Sequence, residues 1–393
     1  MLQKVVESLR TIRSEMLLPP MARAERRLDL NAGMKDDPGI EAALTLAAAW
    51  LCRAQDCSLS MDGGVARHFS LVSGWSESYP EITGYVVPTM VSVAAKCGDE
   101  SLRGRARRMV DWLVSIQLPG GGFQAGTIGA RPRVPTIFNT GQILLGLATG
   151  VREWGEQYRR SMHKAAQWLV ASQDGDGCWR RFESPFATPG EKTYYTHVAW
   201  GLFEAARIDP TTPYAEAALA NIRWTISQMR PNGWLDQCCL DNPTAPLTHT
   251  LGYALRGMVE AYRFTQHADL LTHCQRTADG ALSALRSDGF LPGRVDANWR
   301  GTVSWTCLTG SLQIAICWLM LYQFTGDERY RHAGCDVNRF VRRTLHVDGS
   351  PDVRGGIKGS FPVSGDYGKF EYLAWACKFF IDANLLEQEV VRR

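Results

Sequence analysis

Apolar residues recur at steps of three and four along most of this chain, and the segments that carry them are of two alternating kinds. In the first kind, such as residues 102–117, a charged face lies opposite the apolar face, as in a helix on the outside of a domain. In the second kind, such as residues 141–148, nearly every position is apolar or small, which is typical of a helix buried on all sides. The alternation therefore predicts pairs of one outer and one inner helix.

The pattern accommodates six such pairs. We expect outer helices at 38–56, 100–117, 157–173, 213–228, 268–286 and 327–345, and inner helices at 81–96, 139–151, 196–208, 248–265, 307–325 and 371–387. An open array of repeats would end in polar caps, whereas the last inner helix is as apolar as the middle ones and needs a cover. The first outer helix, rich in alanine and leucine, can supply that cover. The sequence thus predicts an all-α fold, an (α/α)6 toroid in which six helical hairpins close into a ring.

A glycine-containing turn recurs at equal intervals between the helical units. Its four clearest copies contain Gly121, Gly177, Gly233 and Gly289, and looser copies contain Gly63 and Gly349. Glycine allows a positive φ after a helix, so each copy can stop one helix and reverse the chain. The turns support an internal repeat of six units.

Residues 38–393 are expected to form the ring as one domain, and residues 1–37 an N-terminal helical arm. The basic residues of the arm are Arg10, Arg13, Arg23, Arg26 and Arg27. The chain lacks a secretory core and any run of about 18 apolar residues, which predicts a cytoplasmic protein without a transmembrane segment. A net charge of +3 is too close to neutral to favour nucleic acid as a partner.

Eleven cysteines are present, mostly within predicted helices and without the paired spacing of a metal site. We interpret them as small buried apolar residues, and we expect neither a metal nor a cofactor.

The Gln-x-x-x-Gly-x-Trp segment at 173–179, its variant at 117–123 and the helical hairpins resemble the (α/α)6 toroid superfamily. One branch contains squalene cyclase and prenyltransferase repeat proteins. The other contains carbohydrate-active toroids, namely unsaturated glucuronyl hydrolases, N-acyl sugar epimerases and uronate polysaccharide lyases. Residues 74–84 and 354–360 are also similar to proteins of bacterial exopolysaccharide gene clusters. The resemblance covers residues 38–387 and favours a glycan or oligosaccharide as the partner, with the oligomeric state unknown.

In a ring of this kind the loops that lead from outer to inner helices gather on one face, where the first turns of the inner helices surround a pocket. Asn139, His197 and His249 open three consecutive inner helices, Tyr195 directly precedes one, and Glu81 opens another. The resemblance to toroidal lyases implies that Asn139 neutralises a uronate carboxylate, that either histidine is the base, and that Tyr195 is the acid. An epimerase could use the same residues.

Two alternatives apply to these residues. Thr196 and Thr248 could be N-caps, with each histidine bonded to a loop carbonyl. A hydrolase would instead need two carboxylates across the glycosidic bond. The candidates for that pair are Glu77 and Glu81, facing Asp236, Asp241 or Asp366.

The same loops carry aromatic and basic side chains that suit stacking on sugar rings and binding of an anionic, uronate-containing glycan. We expect substrate to contact Trp75, Glu77, Trp179, Trp234, Trp299, Arg300, Trp305 and Lys358. Terpenoid chemistry is an alternative, although the predicted inner helices lack an Asp-x-Asp-Asp or Asp-Asp-x-x-Asp run. A non-catalytic glycan-binding ring is a third possibility. The sequence predicts a carbohydrate-active enzyme that works by lyase-type or epimerase-type proton abstraction or by hydrolysis.

Overall fold

A computed structural model of the protein describes residues 17–31 and 33–392. Its first helix is α1 (Pro20–Asn31). The outer helices of the ring are α2 (Ile40–Asp56), α4 (Glu100–Ile116), α6 (Arg159–Ser172), α8 (Tyr214–Ser227), α10 (Ala268–Ser283) and α12 (Glu328–Arg342). The inner helices are α3 (Pro80–Cys97), α5 (Ile137–Trp154), α7 (Thr196–Ile208), α9 (Thr248–Thr265), α11 (Leu308–Thr325) and α13 (Ala374–Val391). Each inner helix packs against the next, and α13 packs against α2, α3 and α11, which closes the ring. The predicted (α/α)6 toroid is confirmed.

The predicted helix bounds agree with the structure to within a few residues. The largest difference at a helix start is in the last inner helix, because its expected first residues form a strand. That strand, β5 (Glu371–Leu373), pairs antiparallel with β1 (His68–Ser70), which also pairs with β2 (Gly74–Trp75). A second small sheet joins β3 (Thr306–Cys307) to β4 (Ser360–Phe361). At the face where the inner helices begin, the first sheet ties the last long loop to the first loop, and the second sheet ties it to the loop before α11.

The inner helices approach one another closely because small residues lie where they cross. A Cβ atom added to Gly146 of α5 would lie 2.4 Å from the carbonyl oxygen of Gly84 in α3. One step further round the ring, a Cβ atom on Gly201 would lie 2.4 Å from the carbonyl oxygen of Gly141. The narrow inner ring therefore depends on glycine at these crossings.

The repeated turns pack each unit against the next outer helix. Gly177 has a φ of 92°, and a Cβ atom there would lie 2.4 Å from the carbonyl oxygen of Ala220 in α8. The side chain of Gln173 donates to the carbonyl oxygens of Gly177 and Ala217, at 3.0 and 2.9 Å. In the sixth turn the predicted Gly349 has open space around it, and the packing glycine is instead Gly355. A Cβ atom on Gly355 would lie 2.2 Å from the carbonyl oxygen of Leu46 in α2, so this turn closes the ring onto its first outer helix.

Helix α1 lies against the last long loop, with Ala22, Glu25 and Asp29 buried on one face. Of the arginines predicted for the arm, Arg10 and Arg13 lie outside the described residues. All eleven cysteines are free. Within residues 17–31 and 33–392, no helix is long and apolar enough to cross a membrane, and no cluster of three His, Cys, Asp or Glu side chains is arranged to hold a metal ion.

Candidate functional site

A cavity of about 470 Å³, here named the front cavity, lies where the inner helices begin. Loops supply its rim, and the first turns of α3, α5 and α9 supply much of its wall. Its aromatic lining includes Tyr79, Tyr85, Phe138, Tyr253, Tyr367 and Trp375. A concave, mostly apolar cavity with a few polar groups is the usual form of a small-molecule site.

Glu81 brings a carboxyl group into this cavity from the first turn of α3, which begins at Pro80. Burial raises the pKa of Glu81 to about 8, although the charge of Arg67 and the hydroxyl of Tyr79 partly oppose this shift. At neutral pH the side chain is therefore mostly an uncharged acid that can donate a proton.

His249 enters the cavity from the first turn of α9 and is 7 % exposed. Its Nδ1 lies 2.9 Å from Oε1 of Gln313 in α11, and the ring centroid lies 4.4 Å from that of Tyr253. Burial lowers the pKa of His249 to about 4, against the opposing effect of the bond to Gln313. The imidazole is thus neutral at physiological pH, and Nε2 holds a free lone pair because the amide oxygen fixes the proton on Nδ1.

Arg67 is the one permanent cation among the described side chains that line the front cavity. Its Nη1 lies 3.1 Å from Oε2 of Glu371, and its guanidinium lies over the ring of Trp375 at 5.1 Å from the centroid. The carboxylate of Glu371 balances the charge of Arg67, so this wall is weakly charged.

The other predicted catalytic residues lie outside the cavity lining. Asn139 is 1 % exposed, and its Oδ1 accepts from the hydroxyl of Thr136 at 3.0 Å. His197 is fully buried, with Nδ1 2.5 Å from Oε1 of Gln142. Tyr195 is buried as well and is 1 % exposed.

The adjacent Tyr194 lines the cavity in place of Tyr195. Thr196 and Thr248, the two N-cap candidates, lie one position after the N-caps of their helices. The hydroxyl of Thr196 donates to the carbonyl oxygen of Ala254 at 2.9 Å, and that of Thr248 donates to Gly293 at 3.3 Å. These bonds join neighbouring units, so the threonines hold the ring together.

The predicted tryptophans do not line the front cavity, and Trp179, Trp234 and Trp299 are buried in the core. Trp179 is fully buried, and its Nε1 donates to the carbonyl oxygen of Leu169 at 2.9 Å. Trp234 and Trp299 are buried against each other, with ring centroids 5.4 Å apart. Trp75 donates to the carboxylate of Asp352 at 3.0 Å, and Trp305 is half-buried away from the lining. The repeated turns direct the rings of Trp179 and Trp234 inward, because each turn must cover the apolar side of its outer helix.

The remaining predicted contacts also lie outside the lining of the front cavity. Glu77 accepts from the hydroxyl of Thr127 at 2.7 Å and from the amide of Gly129 at 3.2 Å. Arg300 is exposed on a turn outside the lining. Lys358 is 1 % exposed and forms ion pairs with α1. Of the thirteen residues predicted for the site, the structure places Glu81 and His249 together in the front cavity.

Several lining residues were missing from that prediction. Tyr85 and Tyr253 lie four positions after Glu81 and His249, one turn deeper on the same helix faces. This spacing is a signal that could have found them. Tyr367 comes from a long loop whose path the local sequence does not determine.

A second cavity of about 410 Å³ lies at the opposite end of the ring, among the later turns of the inner helices. Most of its charged side chains form ion pairs. Lys378 lies 2.7 Å from Asp382, and Arg152 lies 2.6 Å from Glu204. Because this pairing already accounts for most of the charges, the front cavity is the stronger candidate for chemistry.

Solved structures with a similar fold include three sugar-related enzymes. An unsaturated glucuronyl hydrolase specific for heparin has a TM-score of 0.70 and 15% identity, over 90% of this chain and 98% of that one. A D-mannose isomerase has a TM-score of 0.71 and 12% identity, over 89% and 97%. A sugar epimerase from a ruminal bacterium has a TM-score of 0.72 and 13% identity, over 89% and 98%. At these identities the likeness shows the fold.

No protein-family profile matches the sequence, and no curated protein does.

Proposed function

We propose that this protein is a carbohydrate-active enzyme that transfers a proton at a carbon of a sugar, with His249 as the base and Glu81 as the acid. The observation that carries the proposal is that both side chains line one aromatic cavity, each from the first turn of an inner helix. Burial there moves their pKa values in opposite directions, to about 4 for His249 and about 8 for Glu81. Groups whose environments separate their protonation states in this way are natural acid and base partners.

In the proposed step, the lone pair on Nε2 of His249 takes the proton from a carbon next to a carbonyl or carboxyl group of the sugar. The protonated carboxyl group of Glu81 then donates a proton to the sugar. If this proton reaches the opposite face of the same carbon, the product is an epimer, and if it reaches the neighbouring carbon, the product is an isomer. If it reaches the oxygen of a leaving group, the same proton balance gives a lyase.

The walls of the front cavity suit a sugar. Faces of Tyr253, Tyr367 and Trp375 can stack on the C–H side of a pyranose ring. Three of the structural neighbours are a glucuronyl hydrolase, a mannose isomerase and a sugar epimerase, which supports a carbohydrate substrate.

Charge in the cavity favours a neutral sugar or one with a single carboxylate. Arg67 is already balanced by Glu371. Two arginines in the loops that lead from outer to inner helices are paired with nearby acids, Arg180 with Asp176 and Arg294 with Asp241. A polyanionic glycan would therefore find few free cations in the described residues around this site.

Proton transfer is favoured over two-carboxylate hydrolysis. Within the described lining, Glu81 supplies the one carboxyl group, whereas a hydrolase of that type needs two on opposite sides of the scissile bond. Glu77, the other glutamate considered for such a pair, has its carboxylate held by Thr127 and Gly129. The aspartates considered as its opposite member, Asp236, Asp241 and Asp366, lie outside the lining.

The test is incubation of the purified protein with aldoses, ketoses and uronate oligosaccharides in deuterated water, followed by mass spectrometry and NMR. We expect deuterium at a sugar carbon, with an isomer, an epimer or an unsaturated uronide as product. New reducing ends without carbon-bound deuterium would assign hydrolysis instead. The absence of any change across the whole panel would leave terpenoid chemistry or a glycan-binding ring as the remaining hypotheses.

A further inference from the structure

The segment 357–373, here named the wall segment, forms one side of the front cavity. It carries Tyr367, whose ring centroid lies 5.0 Å from that of His249 and whose hydroxyl accepts from Nε1 of Trp375 at 2.7 Å. It also carries Glu371, which pairs with Arg67. The position of this segment therefore determines the shape of the cavity beside the proposed base.

The wall segment is bonded to itself at several points. The hydroxyl of Ser360 donates to the carbonyl oxygen of Tyr367 at 2.7 Å and accepts from its amide at 3.1 Å. The amide of Phe370 donates to the carbonyl oxygen of Val363 at 2.9 Å. A displacement near Val363 is thereby transmitted to Tyr367.

Helix α1 holds this segment from behind. Glu25 and Asp29 lie one turn apart on its buried face, and each is 8 % exposed. Asp29 forms an ion pair with Lys358, and its Oδ2 accepts from the amide of Val363 at 2.8 Å. Glu25 also contacts Lys358, and its Oε1 lies 2.8 Å from Nε2 of His346.

Lys358 has its ammonium group almost fully removed from water, and its carboxylate partners come from α1. A buried charge is tolerated when it is paired and hydrogen-bonded, so removing a partner leaves a strong tendency for the lysine to move toward solvent. Lys358 lies within the wall segment, and such a movement would take the neighbouring backbone with it.

We propose that Asp29 is a positioning residue for the front cavity. By binding Lys358 and the amide of Val363, it fixes the wall segment and keeps Tyr367 against His249. Through these contacts α1 shapes the site by way of the wall segment. The consequence for catalysis rests on the proposed function, whereas the consequence for the wall segment does not.

The first test is hydrogen–deuterium exchange of the full chain as wild type, Asp29→Ala and Asp37→Ala. Asp37 is a matched control because it also joins the arm region to the ring. Its partner at 2.9 Å is Arg342, which lies at the end of α12 and outside the wall segment. We expect peptides within 359–371 to exchange about tenfold faster or more in Asp29→Ala, with α3 and α9 unchanged. In Asp37→Ala the same peptides should exchange as in the wild type.

Unchanged exchange in Asp29→Ala, or an equal increase in Asp37→Ala, would overturn the proposal. Loss of protection throughout the ring in both Asp29→Ala and the isosteric Asp29→Asn would assign Asp29 to general stability and would overturn it as well.

The second test uses any sugar that the wild type converts. We expect Asp29→Ala to raise KM roughly tenfold with kcat little changed, and to be non-additive with Tyr367→Phe in a double-mutant cycle. Additive effects would contradict the proposed route through Tyr367. If no sugar is converted, the exchange experiment still decides the positioning role, so the two proposals fail separately.

Discussion

The Nδ1 atom of His249 in α9 lies 2.9 Å from Oε1 of Gln313 in α11. An amide oxygen can only accept a hydrogen bond, so the contact requires the imidazole proton on Nδ1 and leaves Nε2 as the basic atom. The same pairing recurs between His197 and Gln142, at 2.5 Å, within the wall of the ring. Of these two histidines, His249 borders the front cavity.

Replacement of Gln313 should therefore disturb the base. We expect Gln313→Leu to lower kcat/KM by about tenfold to a hundredfold, because the imidazole loses its fixed tautomer and orientation. The matched control is Gln142→Leu, which removes the same bond from His197. Steady-state kinetics on a converted sugar should show a change of less than about threefold for that control, and equal losses in the two variants would contradict the assignment.

The pH profile of kcat/KM should be bell-shaped. His249 acts as a base when neutral, above its pKa of about 4, and Glu81 acts as an acid when protonated, below its pKa of about 8. Activity should thus fall below about pH 4 and above about pH 8. A rate that keeps rising beyond pH 9 would show that Glu81 is not the required acid.

Stability offers a check that needs no substrate. The pKa of Glu81 is raised from 4.5 to about 8 on folding, so the folded protein binds the extra proton between these pH values, and stability falls as pH rises through that window. Glutamine does not titrate, so Glu81→Gln removes this pH-dependent loss of stability. We expect the melting temperature of the variant, relative to wild type, to increase between about pH 4.5 and about pH 8 and to stay level above. A difference that shrinks with rising pH would contradict the raised pKa.

The close contact between α9 and α11 at the site can be tested with glycine. A Cβ atom on Gly310 would lie 2.4 Å from the backbone nitrogen of His249, so Gly310→Ala must separate the two helices and should destabilise the protein by about 1–3 kcal/mol. Gly104 in α4 is exposed with open space around its Cβ position, and Gly104→Ala should stabilise by up to about 1 kcal/mol. Urea denaturation measures both, and equal effects would refute the packing argument.

The ring was predictable because helical periodicity records which face of each helix is buried. Glu81 and His249 were predictable for a related reason, since both lie in the first turn of an inner helix. His197 occupies the same second position in α7 as His249 in α9 and contacts Gln142 as His249 contacts Gln313, yet His197 is fully buried and lies outside the front cavity. Local sequence does not encode which inner helices border the cavity, so this difference was not predictable.

The tryptophans and Lys358 show two other limits. The sequence alone does not distinguish a tryptophan whose ring packs into the core, as Trp179 on a turn does, from one that lines a cavity, as Trp375 in the first turn of α13 does. Lys358 seemed free to bind an anion because its partners, Glu25 and Asp29, lie more than 300 residues away in the sequence. Its ion pairs depend on how α1 packs, which no local motif specifies.

The most direct test of the central claim is solvent deuterium incorporation into a converted sugar by wild type, His249→Gln, Glu81→Gln and Tyr195→Phe. Tyr195 is the control, because its buried hydroxyl lies outside the front cavity. We predict that each of the first two variants loses about a hundredfold or more of the incorporation rate, while Tyr195→Phe keeps the wild-type rate. Full incorporation in His249→Gln or Glu81→Gln would contradict the assignment of these residues as base and acid.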